Sequence, residues 1–488
     1  MTLALAPDQS IMDLPTVDPT DELVERVRPW AEQAVDALQI AAKLESEGVT
    51  DRLAVGRHAR ADVFDLAQEV HRRLSGGPAP SRAADPAARR DGAPEPPRRR
   101  AVRDLSHGLL YLIPSAAFPA ALGLLPGRSL VAVLLLAGAV GWVWSNVASW
   151  LAYQFLGARR PQSAARLLRW STLAALPVAG LVGLAVTTAT GGSLSLVALA
   201  VAMMAYQMAS TLLMIYRAEL WLGLVMVPAV GGGFTFFLVG AEAAPWALAA
   251  AGASVAAALA LALGRTVATT RRAASHRAVN RTVATPGTVV LVTVYSGLGA
   301  IFLLHAQAPY LSTRLDIVLV IGPLLAAMGL VEWRVRRYLE RAQDLLASVA
   351  GMPAFARVMR RRLVMGALTC ATAVAVLAMP VLAGLAVVGL LSGPVLAMAG
   401  AVTALGGAYF LGFVLASQSR FGTLGAALAV ATAAHLAAAA LLPASPLADT
   451  LTFLGSAVLL GVIELTSLVG TVGQAWRYRK SQGDECMP

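Results

Sequence analysis

Between residues 108 and 472 the chain alternates long uncharged runs with short breaks rich in turn residues or arginine. A helix needs about 20 apolar residues to cross a hydrocarbon core of about 30 Å. Twelve runs meet that length: 108–125, 129–153, 170–190, 194–216, 219–240, 244–264, 288–307, 313–333, 363–388, 394–416, 423–442 and 447–472. None has the strict apolar/polar alternation of a strand. The pattern predicts an all-α integral membrane protein of about twelve transmembrane helices.

The first 105 residues follow another rule. "DELVERVRPWAEQAVDALQIAAKLESEG" repeats Leu23, Val27, Trp30, Ala34, Leu38 and Ala41 at helical spacing, which predicts one amphipathic helix. In "TDRLAVGRHARADVFDLAQEVHRRL", Asp62 is placed to cap a helix with Asp65 in its first turn. Val63, Leu66, Val70 and Leu74 then form its apolar stripe. Residues 1–75 thus read as a small helical cytoplasmic segment, and 76–105 as a disordered Pro/Ala/Arg linker. The expected membrane part is 106–264, a basic inter-half loop 265–287, then 288–476, with 477–488 as a tail.

Charge orients the spans. The chain carries 39 Lys and Arg against 28 Asp and Glu, and 18 of those acids lie in the first 105 residues. Beyond them, the connections on one side hold nearly all the arginines, including a cluster from Arg334 to Arg362. The other side holds only Arg128 and Arg314. The positive-inside rule makes the basic side cytoplasmic, with both termini on it, as in a multi-pass protein of the cytoplasmic membrane. The net charge of +11 therefore belongs to a lipid bilayer and not to nucleic acid. No cleavable signal peptide is expected, since the first 20 residues carry aspartates and no Lys or Arg. "YQFLGARRPQSAARLLRW" (153–170) concentrates Arg159, Arg160, Arg166 and Arg169 between the second and third spans. It reads as a cytoplasmic stop whose short helix starts at Pro161 and lies among anionic headgroups.

The breaks also suggest a plan. A large basic segment follows the second span, and another, "EWRVRRYLERAQDLLASVAGMPAFARVMRRR", follows the eighth. Two halves of six spans would be related by an axis along the membrane normal. With that plan, "LGARRPQSAARLLRWSTLAAL" resembles the loop after the second helix in the multidrug/oligosaccharidyl-lipid/polysaccharide exporter superfamily. Within it, "LLAAMGLVEWRVRRYLERAQDLLASV" resembles the Pel-type (PelG-like) exopolysaccharide exporters, at Glu332, Arg336, Arg337 and Tyr338. The resemblance implies export of a polysaccharide or related polymer, with a cytoplasmic glycosyltransferase or polymer synthase as partner. Arg159, Arg160, Arg166 and Arg169, with Glu332, Arg336, Arg337 and Tyr338, would be the cytoplasmic contacts.

Few ionisable groups fall inside the spans. Glu464 lies about ten residues from the inner end of the last span, about 15 Å deep. A carboxylate there is costly unless paired, protonated or wet. It is the first candidate for proton coupling, followed by His435 and, near the end of the seventh span, His305. Asn146, Gln154, Gln207 and Ser210 could line a cavity or bond across helices. "PAVGGGF" (228–234) reads either as a hinge or as close packing by small residues. No phosphate-binding loop, metal-ligand spacing or nucleophile elbow is present, so neither an enzyme, a cofactor nor a metal is expected. The two cysteines, Cys370 and Cys486, offer no disulfide framework. The lack of a mid-membrane arginine argues against a pyrophosphate-linked lipid as cargo. Two other functions fit the pattern: a non-transporting scaffold that recruits a partner through residues 1–105, and a drug/proton antiporter of the same fold.

The arginine asymmetry makes a direct prediction. A topology reporter fused after Pro488 should read cytoplasmic, and one placed in the 190–193 turn should read external. The same reading from both would overturn the orientation.

Overall fold

The computed structural model describes residues 18–31, 37–76, 127–158, 160–272, 284–348 and 352–472, with 108, 110, 112, 113, 120 and 121 from the stretch before. The described residues contain no strand. The chain divides into two compact units, Met1–Glu95 and Pro96–Pro488. The 76–105 linker, the 477–488 tail and most of the 108–125 run lie outside the described residues, as does Arg159.

The first unit is built from four short helices, α1 (Pro19–Ala31), α2 (Ala37–Ser46), α3 (Asp51–His58) and α4 (Val63–Gly76). Asp62 caps α4 by accepting from the Asp65 amide at 2.7 Å, while the Asp65 carboxylate accepts from the Ala61 amide at 3.1 Å. Val63, Leu66, Ala67 and Val70 then close a core with Leu23, Val27, Ile40, Ala41 and Leu44. The helix expected over 21–48 is described in two stretches, α1 and α2, with 32–36 between them outside the described residues. Within α2, Leu38 is 63% exposed and Ile40 takes the buried place. Arg73 fastens α4 to α1 by donating to Asp18 at 2.9 Å and to Asp21. It shares Glu69 with Arg72 and Arg60.

The second unit holds eleven helices, among the described residues, that are long and apolar enough to span a bilayer. In the first group, α5 (Gly127–Gly157), α6 (Pro161–Thr190) and α7 (Leu194–Ile215) all pack on one another. Next, α8 (Glu219–Val239) packs on α7 and α9 (Ala244–Arg272), and α9 also touches α6 and α7. In the second group, α10 (Pro286–His305) pairs with α15 (Phe421–Leu441). The short α11 (Leu315–Leu319) leads into α12 (Gly322–Ser348). Here α12, α13 (Met352–Val387) and α14 (Gly393–Ser417) pack on one another, α15 packs on α14 and α16 (Pro446–Val469), and α16 lies against α14. Buried side chains gather into one large core drawn from residues 302–472 and another from 110–262.

Both basic segments are more helical than expected. The arginine stretch is not a separate helix at the interface: α6 runs unbroken from Pro161, which occupies its first turn, to Thr190. No glycine or proline occurs from Gln162 to Leu176, so nothing stops it, and Ala164 and Leu168 enter the core. At 30 residues α6 is about 45 Å long, so its first turns, which carry Arg166 and Arg169, can reach beyond the hydrocarbon. Arg166 and Trp170 head the exposed stripe that continues through Leu173 and Leu181, as an interfacial anchor should. Similarly, the basic segment after the eighth span is mostly helical, shared between the end of α12 and the start of α13. Within "PAVGGGF" α8 is continuous, and Gly232 serves packing: a Cβ on it would stand 3.0 Å from the Ala247 Cα, whereas one on Gly231 would meet open space.

Close approach of small residues holds the second group together. A Cβ on Gly366 of α13 would fall 2.3 Å from the ring of the fully buried Phe410. Gly366→Ala should therefore cost about 1–3 kcal/mol of stability. The change should lower the melting temperature in detergent, whereas Gly455→Ala, with open space around it, should not.

In the first unit, hydrogen bonds from Arg72 and then Arg73 hold the Glu69 carboxyl at about 2, against an ordinary 4.5. A depressed carboxyl stabilises the fold fully above its unfolded value and loses that contribution as pH falls toward the folded one. Amide protection over 18–76, corrected for intrinsic exchange, should decline between about pH 4.5 and 2. Glu69→Gln should lower protection at neutral pH and flatten that decline.

Candidate functional site

Glu464 sits on α16 where it faces α14 and is 2% exposed. It fits because α14 presents Gly412, whose missing Cβ would stand 3.1 Å from Glu464 Oε1. Its other oxygen, Oε2, is buried with no hydrogen-bond partner. Tyr409, one turn before Gly412, lies within electrostatic range. A carboxyl in apolar surroundings with an open lone pair is equipped to take up and release a proton.

A second cluster forms at the far end of α16 from Glu464, by the turns before α14 and α16. His435 of α15, 2% exposed, places Nδ1 3.2 Å from Thr452 Oγ1 and Nε2 3.7 Å from Asp449 Oδ1. Tyr310 donates its hydroxyl to Asp449 Oδ2 at 2.5 Å. The rings of His305 and His435 meet edge to face with centroids 5.7 Å apart. Nearby, Arg314 is paired with Asp316 at 2.7 Å and donates to Ser392 at 3.1 Å. The sequence flagged His435 and His305 but neither Asp449 nor Tyr310. A signal was present in Asp449, an acid in the first turn after Pro446, but that position reads equally well as a helix-end charge.

The uncharged polar candidates do not converge. Gln207 of α7 lies against α5, where Gly141 leaves it room, and its Nε2 reaches the Gly138 carbonyl at 3.5 Å. Its Oε1 is buried without a partner. Asn146 and Gln154 are half-buried on α5, with no side-chain hydrogen bond among the described residues. Ser210 turns back to the Gln207 carbonyl at 3.0 Å.

The cytoplasmic candidates divide. Glu332 and Arg336 of α12 lie within electrostatic range of Tyr153 at the end of α5, together with Arg217 and Glu219 from the α7–α8 turn. This gathers charges from both helix groups at one end of the bundle. Beside it, Phe421 stacks on Tyr295 at 5.4 Å and meets Trp150 edge to face at 6.0 Å. Arg337 instead lies over the Trp333 ring at 5.8 Å and pairs with Glu340 at 3.6 Å. Tyr338 is core, packed edge to face on Phe410. Arg160 follows the end of α5, its amide bonded to the Phe155 carbonyl, and Arg166 is exposed on α6 with Arg169 half-buried. Among the described residues no three His, Cys, Asp or Glu gather as a metal site.

By architecture the chain is an all-α, multi-pass membrane protein. No protein-family model, curated protein or solved structure matches it.

Proposed function

We propose that the protein exports a polysaccharide or related polymer across the cytoplasmic membrane, by alternate opening of two six-helix halves of the multidrug/oligosaccharidyl-lipid/polysaccharide type. The observation that carries this reading is a repeated packing plan. Taking α5 to α9 in order against α12 to α16, all pairs of the first group except α6–α9 recur: α5–α6, α6–α7, α5–α7, α7–α8, α7–α9 and α8–α9 as α12–α13, α13–α14, α12–α14, α14–α15, α14–α16 and α15–α16. The crossing contacts repeat too. Helix α10 packs on α5, and Gly108, first residue of the run that would be its counterpart, approaches α12, where its Cβ would stand 1.9 Å from the Ala326 carbonyl oxygen. Such doubling is expected of a transporter with parallel repeats. A membrane anchor for a scaffold has no physical need of it.

In this reading the arginine-rich ends face the cytoplasm. The cluster around Tyr153, Glu332 and Arg336, with the aromatic trio beside it, bridges the two halves at the cytoplasmic mouth. Glu464 couples movement to the proton gradient. The N-terminal unit, folded on its own core, is the part free to bind a polymer synthase. The repeat does not itself distinguish polymer export from drug/proton antiport; the two resembling loops favour the polymer.

The test is export. Cells lacking the protein should retain newly made polysaccharide, and the wild-type gene should restore its release. Glu464→Gln, which keeps shape and removes the ionisable proton, should be expressed normally yet release at least about tenfold less. Unchanged release without the protein would overturn the export reading. Full activity of Glu464→Gln across the pH range would overturn the coupling role alone.

A further inference from the structure

We infer that the space between His435 Nε2 and Asp449 Oδ1 is a binding site for one proton, distinct from Glu464. The argument rests on which atoms already hold hydrogens. Thr452 Oγ1 lies 2.8 Å from the Asp449 main-chain carbonyl, which can only accept, so the threonine hydroxyl proton points there. The oxygen that His435 Nδ1 meets at 3.2 Å must then accept, and Nδ1 carries the ring hydrogen. In the neutral ring Nε2 is therefore a bare lone pair. It faces Asp449 Oδ1 at 3.7 Å, an acceptor facing an acceptor. The other carboxylate oxygen is taken by the Tyr310 hydroxyl at 2.5 Å. One added proton on Nε2 turns this opposed pair into an attractive, charge-assisted one at ion-pair distance.

The surroundings favour a single proton. Helix α10 contributes His305, edge-on to His435 at 5.7 Å, whose own protonation would oppose that of its neighbour. The segment between α10 and α11 contributes Tyr310, and Arg314, whose charge is engaged by Asp316. Helix α16 contributes Asp449 alone at this level, and the only ionisable side chain of α14 is the distant Tyr409. Phe453 closes the remaining side of the ring at 5.6 Å. Because the proton joins α15 to α16, and Tyr310 joins the 306–314 segment to the same carboxylate, occupancy sets how firmly three elements are tied at this end of the bundle.

The inference does not depend on transport and is tested on the full-length protein in lipid nanodiscs. The chain has six histidines; with ¹⁵N-labelled imidazoles, His435→Gln assigns the His435 signals by difference. At alkaline pH the ring should carry its hydrogen on Nδ1, and on acidification Nε2 should gain one. Asp449→Asn removes the facing charge and should move that midpoint down by about one pH unit or more. Tyr310→Phe frees the carboxylate to accept more strongly and should move it up. A ring protonated on Nε2 at alkaline pH would overturn the proposal, as would a midpoint indifferent to Asp449→Asn. Should Asp449→Asn not fold, the wild-type tautomer and the direction of the Tyr310→Phe shift still decide.

Discussion

Within hydrocarbon no water is available to a backbone amide or carbonyl, so every such group must bond inside the protein. The architecture follows from that constraint. Helices satisfy their own ladders, and their polar side chains do likewise: Thr172, Thr187 and Thr432 each return a hydroxyl to the carbonyl four residues earlier. Since lipid is as apolar as leucine, burial in the membrane drives little, and helices are held by close contact. Gly366 against Phe410, and Gly232 against Ala247, are such contacts. Against this self-satisfied background, the few groups left open gain meaning. Glu464 Oε2 and the His435 Nε2 facing Asp449 are two such groups, beside uncharged ones such as Gln207 Oε1.

The fold was legible wherever one rule governed a run of sequence. Apolar length places α5, α7, α8, α10, α14, α15 and α16 within a few residues, since nothing else competes with hydrophobicity there. It misled where charge was taken as the end of a helix. Arginine has good helix propensity, so "RPQSAARLLRW" and "EWRVRRYLERAQ" leave the bilayer without leaving the helix. In the first unit the apolar period over 21–48 put Leu38 on the buried stripe, a place that Ile40 takes instead. Asp62 and Asp65 were readable because capping is local and needs only neighbours.

The site was less legible, for the same reason in reverse. Glu464 announced itself as a charge in an apolar run. Its accommodation by Gly412 joins two helices 52 positions apart, and no local pattern reports that. Asp449 and Tyr310 lie where acids and tyrosines are ordinary, near helix ends, and they matter only because folding brings 139 residues of separation down to a 2.5 Å hydrogen bond. Tyr338 shows the opposite error: set among arginines it looked like surface, yet helical phase turns it into the core.

The length of α12 has a mechanical consequence. The helix runs 14 residues past Arg334 before it ends at Ser348, an arm of about 21 Å that is one piece with the span. A rigid rod cannot tilt at one end only. A rotation of about 10° within the bilayer would sweep the tip of such an arm through about 4 Å. Motion too small to notice among packed side chains thus arrives beyond the headgroups as a displacement wider than a water molecule, and whatever grips the arm can in turn pull on the span.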